Sequence, residues 1–150
     1  MKDSKYFTVD EMLVSATGER LKIKNVLPDM YKPALLNTMQ KMDIIREALG
    51  HPIIVLSGFR SDELNVAVGG SKKSWHRKGQ AVDFVCPKFG SPLEICKAIH
   101  LYVQKHPEVR YHELIHEYNS WVHIAFPTPG QQPMMELLTI NKKGTKWGLS

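Results

Sequence analysis

The chain has 150 residues, enough for one domain with a real apolar core and too few for two of ordinary size. Hydrophobic residues make up 43% and charged residues 23%, proportions that exclude a disordered chain and a fibrous repeat. The net charge of +5 favours polyanionic surroundings, whether nucleic acid, anionic lipid or the anionic polymers of a bacterial wall, without choosing among them.

In chain order, "TVDE" at Thr8 to Glu11 is a capping box and predicts a short helix running to about Ser15. "KIKNVLPDMYKP" then reads as a loop. From Pro33 onward Leu35, Leu36, Met39, Met42, Ile45 and Leu49 recur at helical spacing, predicting an amphipathic helix closed by Gly50. "PIIVLS" at 52–57 reads as a buried strand ending at a Gly58 turn, and "AVDFV" at 81–85 as a second strand. "SPLE" at Ser91 to Glu94 combines a serine cap, a proline and a glutamate, so a helix is expected over roughly 92–105, with Leu93, Cys96, Ile99 and Val103 as its apolar stripe. "HELIHEYNSWVHIAF" reads as a hairpin of strands at about 113–117 and 121–126, turning at Tyr118 to Ser120. A last strand is expected at Leu137 to Ile140, before a polar tail.

Several classes are disfavoured by what the chain carries. Cys86 and Cys96 lack the spacing of a disulfide framework or a cysteine zinc site and read as reduced core residues. "MKDSKYFTVDEM" has no apolar leader and no apolar run approaches a membrane span, so the expectation is a protein synthesised in the cytoplasm without membrane insertion. The lysines are scattered without interleaved aromatics, which speaks against a nucleic-acid face.

Strand alternation puts Ala81, Asp83 and Val85 on one face and Val82 and Phe84 on the other; likewise Trp121, His123 and Ala125 lie opposite Val122, Ile124 and Phe126. His76 sits at the mouth of the turn feeding the Asp83 strand. Two imidazoles and one carboxylate make a three-ligand zinc site with room for water. Glu117, at the end of the strand paired with that of His123, is placed to take a proton from such a water. His100 and His106 read instead as ordinary satisfied polar residues.

"SGFRS" (57–61), "LNVAVGGSKKSWHRKGQAVDF" (64–84) and "HEYNSWVHIAF" (116–126) together resemble the zinc D-alanyl-D-alanine carboxypeptidase family, including the peptidase domains of phage endolysins. The S-x-H-x-x-G-x-A-x-D signature is complete as Ser74, His76, Gly79, Ala81 and Asp83, and the resemblance runs from about Phe7 to Phe126. It implies an α+β fold in which a small antiparallel sheet carries a zinc site and packs against helices, as in hedgehog-like domains. It also implies one zinc held by His76, Asp83 and His123, and Arg60 gripping a substrate carboxylate or carbonyl, for which a guanidinium fork is suited. Ser74, Trp121 and His116 become candidate substrate contacts. Many relatives carry the catalytic acid three positions before the last histidine, where this chain has Ser120; Glu117, six positions before His123, is similar to the arrangement in hedgehog domains and is assigned the base. Adjacent strand residues face opposite ways, so His116 and Glu117 should not both point at the metal, and His112 and His116 stand in reserve as proton carriers.

The resulting expectation is one monomeric metallopeptidase domain over 1–150, with 127–150 as a C-terminal extension, acting on D-alanine-containing peptides of bacterial peptidoglycan. Lacking a leader, it would reach the wall after release, for instance through a phage holin. Two other classes stay open: a zinc-bearing binding or phage structural module without turnover, and a charge-driven nucleic-acid binder, which is ranked last.

Overall fold

The computed structural model describes residues 4–150; Met1 to Asp3, part of the stretch for which no leader was expected, lie outside the described residues. Among the described residues, five α-helices and six strands follow in the order α1 (Val9–Met12), α2 (Ala16–Leu21), α3 (Lys32–Leu49), β1 (Ile54–Ser57), α4 (Asp62–Ala67), β2 (Ala81–Val85), α5 (Pro92–Gln104), β3 (Glu113–Glu117), β4 (Trp121–Ala125), β5 (Glu136–Asn141) and β6 (Gly144–Trp147). The strands form one sheet in the order β1-β2-β4-β3-β5-β6. Every pairing is antiparallel except β3 with β5. This is the expected α+β architecture, with a mostly antiparallel sheet backed by helices.

The local signals explain most of the elements. Thr8 and Glu11 form the capping box of α1, and Ser91 and Glu94 that of α5. The stripe of α3 buries Leu35, Met39, Met42, Ile45 and Leu49. α5 lies against β3 and β4, and α3 against α5. This layer covers the face carrying Val82, Phe84, Leu114, Val122 and Ile124, all fully buried. Each such side chain contributes on the order of 1.5–3 kcal/mol through removal from water. Cys86 and Cys96 are free and buried, as expected. No described helix is long and apolar enough to cross a membrane.

Three expectations need correction. The first helix stops at Met12, and Ser15 is the cap of a separate helix α2, its side chain accepting from Gly18 N–H. β1 is an edge strand, with Ile54 52% and Leu56 43% exposed, because it pairs with β2 alone. The C-terminal tail is structured: beyond β5 the chain turns and adds β6.

The face away from the helices carries the site, and two glycines shape its approach. Gly79 follows the turn that bears His76 with φ 73°, and a Cβ there would lie 3.3 Å from Leu35 of α3. Thr38 Oγ1 donates to Gly79 O at 2.7 Å, tying the same turn to the helix. At Gly58 a Cβ would stand 2.6 Å from Met12 O, so the α1 end and the β1 end approach as only glycine permits.

Candidate metal centre

His76 lies in a 3-10 turn, Trp75–Lys78, that precedes β2. Ser74 caps that turn by accepting from His76 N–H at 3.2 Å. Two further bonds stitch it to the loop after β1: Arg60 N–H donates to His76 O (3.0 Å), and His76 Nδ1 meets Gly58 O at 2.6 Å. Asp83 is central in β2 and pairs directly with His123 of β4, while an irregularity between Val55 and Ser57 brings Ser57 opposite Asp83. Local pairing and a β-bulge thus bring together groups distant in sequence.

His76 Nε2 and His123 Nδ1 approach the same oxygen, Asp83 Oδ1, at 3.1 and 2.9 Å. One ligand atom from each of the three residues lies within 4.8 Å of the others. The carbonyl at His76 Nδ1 accepts, so that nitrogen carries the proton and Nε2 presents a lone pair to the carboxylate. His123 Nε2 meets Glu113 Oε1 at 2.8 Å, which in the neutral ring leaves Nδ1 likewise bare toward Asp83. Acceptors then face an acceptor, and only a cation among them relieves this, either a proton or a metal ion. The donor set of two imidazoles and one carboxylate, each ring oriented through its other nitrogen, fits zinc.

The electrostatics show the same demand for a cation. Burial pushes the His76 imidazole below its usual value, keeping it neutral. Burial also opposes charge on His123, but the bonds to Asp83 and Glu113 outweigh it and raise the ring to about 10. Burial would raise the Asp83 carboxyl; the two imidazoles prevail and hold it well below the carboxylate range.

Glu117 reaches the same space, its Oε1 3.9 Å from His123 Nδ1. Burial raises its pKa, with Asp83 and Glu113 adding to the rise and His123 and Arg60 opposing it. The hairpin that presents it turns through Tyr118 and Asn119, both at φ 52°.

Arg60 and Trp121 also line this cleft, which has a volume of about 540 Å³. Arg60 Nε and Trp121 Nε1 are buried donors without a partner among the described residues. The Arg60 loop is clamped on both sides by Asn25, whose Nδ2 donates to Phe59 O (2.7 Å) and whose Oδ1 accepts from Ser61 N–H (2.8 Å). Ser74 lines the cleft too, with its hydroxyl occupied as a cap.

His116, a candidate substrate contact by sequence, does not line this cleft. By strand parity it faces the other way, and its ring meets Asn119 Oδ1 and Ser150 O, each at 3.1 Å. His112 stacks on Trp75 at 4.6 Å and meets Gln131, so neither reserve proton carrier faces the three converging residues. His100 bonds the Tyr111 hydroxyl at 2.7 Å and His106 stacks on Tyr102, as ordinary satisfied residues do.

Glu113 and Asn25 were not singled out from sequence. Glu113 had a signal: alternation through "ELIHE" places it with Glu117 on the face of His123. Asn25 sits in a loop whose partner lies more than thirty positions away and had none.

No curated protein matches the chain. The model of the family Peptidase M15 matches residues 5–125, spanning the SGFRS loop, the His76–Asp83 segment and the His123 strand. With that match over most of its length, the chain belongs to the zinc D-alanyl-D-alanine carboxypeptidase family, peptidase M15, a family of zinc metallopeptidases.

Proposed function

We propose that the protein is a zinc peptidase that hydrolyses D-alanine-containing peptide stems or cross-links of bacterial peptidoglycan. The observation that carries this reading is the convergence of His76, Asp83 and His123 on one point, with the Glu117 carboxylate 3.9 Å from His123 Nδ1 in an open cleft. Bound zinc supplies a Lewis acid and a water acidified toward pKa ~7. His76 Nε2, the Asp83 carboxylate and His123 Nδ1 would hold it. Gly58 O and Glu113 orient the two rings. Glu117 takes a proton from the attacking water and returns it to the departing amine. Arg60 offers a fork for the substrate's terminal carboxylate or the scissile carbonyl, and the Trp121 indole N–H offers a donor beside it.

A basic protein suits the anionic wall in which such a substrate is found. In this reading 1–150 works as one monomeric catalytic unit that meets the wall after release from the cell that made it. Incubating the purified, zinc-loaded protein with muropeptides, with and without a chelator, and weighing the products by mass spectrometry tests it. Loss of a terminal D-alanine identifies a carboxypeptidase and splitting of dimers an endopeptidase; intact muropeptides with bound zinc would leave a binding module instead.

A further inference from the structure

Past the last residue matched by the family, the chain adds β5 and β6 to the sheet beside the cleft. Register fixes which of their residues share its face. His123 pairs with Ile115, Ile115 with Leu138, and Leu138 with Trp147. The neighbouring row runs from Glu117 to Ile140 to Thr145. Ile115 and Ile140 line the cleft, whereas Leu137 packs on the core and Thr139 is buried, so Leu138 and its partner Trp147 lie on the cleft side. The floor therefore continues as an apolar strip that ends at Trp147, whose side chain is 74% exposed.

We propose that Leu138, Thr145 and Trp147 form a saccharide-binding shelf, where a sugar of a glycopeptide substrate stacks on the Trp147 indole while its peptide reaches the His76–Asp83–His123 centre. The proposal rests on the peptidase reading above and adds the substrate's other end. A single exposed apolar residue needs no explanation by itself, but this one closes a strip continuous with the cleft. A pyranose ring presents a flat C–H face that matches an indole, and its hydroxyls need a polar neighbour, which Thr145 supplies. The length also fits. Three strand spacings of ~4.8 Å separate β4 from β6, about 14 Å in all, which an extended peptide at ~3.4 Å per residue covers in about four residues. That is the reach of a stem peptide from its scissile end to the sugar that carries it. A bare peptide would leave the shelf uncovered.

The test compares a stem pentapeptide with the same peptide joined to N-acetylglucosaminyl-N-acetylmuramic acid, on the zinc-loaded protein and on Trp147→Ala. The wild type should show a KM about three- to ten-fold lower for the sugar-bearing substrate, the scale of an aromatic stacking contact. Trp147→Ala should abolish that difference and leave the bare peptide unchanged. Equal loss on both substrates would overturn the shelf. The free disaccharide is also titrated into protein labelled with 15N in its indoles, with Trp147→Phe assigning the signal. A shift of the Trp147 resonance, with Trp75 and Trp121 still, supports the shelf even if neither peptide is cleaved and the peptidase reading fails. An unmoved Trp147 resonance, or one that moves only with protein concentration and so reports a second copy, refutes it.

Discussion

Glu113 offers a quantitative test of how the centre is built. Its Oε1 accepts from His123 Nε2 at 2.8 Å, and the two side chains are 24% and 8% exposed, so solvent screens the contact only in part. The bond fixes the ring so that Nδ1 points at Asp83, and a partner of this kind typically contributes 10- to 100-fold to metal affinity. Glu113→Gln keeps the volume and an acceptor but removes the charge, placing it at the lower end, about ten-fold or ~1.4 kcal/mol. Glu113→Ala leaves Nε2 without its partner in a nearly buried position and should approach 100-fold, ~2.8 kcal/mol. Zinc competition against a chromophoric chelator at neutral pH measures both, with thermal melting of the chelated proteins checking the fold. If both variants hold zinc as tightly as the wild type, Glu113 does not orient His123 for metal binding.

Glu117→Gln should retain zinc while turnover falls by roughly 10²-fold, the usual scale for positioned proton transfer; unchanged kcat on muropeptides would remove Glu117 from the mechanism. Gly58→Ala forces a Cβ to 2.6 Å from Met12 O and displaces the carbonyl that orients His76, so both melting temperature and zinc affinity should drop, the fold by about 1–3 kcal/mol; identical melting and zinc titration curves would contradict that packing. Burial pushes the Cys96 thiol from 9.0 to about 12. The unfolded chain therefore releases this proton first, so the contribution is complete below pH 9.0 and fades as pH climbs toward 12. Unfolding free energies from urea titrations at about pH 8 and pH 10.5 should differ by up to ~2 kcal/mol more in the wild type than in Cys96→Ala; equal differences would show that the thiol ionises in the fold as it does in water.

Features set by neighbouring residues could be read from sequence. The capping boxes at Thr8 and Ser91, the α3 stripe and the β2 alternation are of this kind, and parity alone predicted that His116 and Glu117 would diverge. What escaped depends on which segments meet. "PIIVLS" has the composition of a central strand, yet β1 has a single neighbour, and no local signal distinguishes an edge from a centre. Ser15 can end one helix or cap the next, and the choice is made by packing beyond it. β6, "GTKW", is exposed along its whole length at the other edge and carries a single large apolar residue, Trp147, so it lacked the apolar alternation that marks a strand. Within the site, the residues with chemical signatures stood out, whereas Glu113 and Asn25 acquire meaning only through contacts across the sheet and the loop.

X-ray data collected on either side of the zinc absorption edge, from crystals of protein purified without added chelator, test whether His76, Asp83 and His123 form a metal centre. The account predicts one anomalous peak per chain, ~2.0–2.2 Å from His76 Nε2, an Asp83 carboxylate oxygen and His123 Nδ1. A protein that takes up no zinc even when it is supplied, or a peak bonded to other residues, would contradict it.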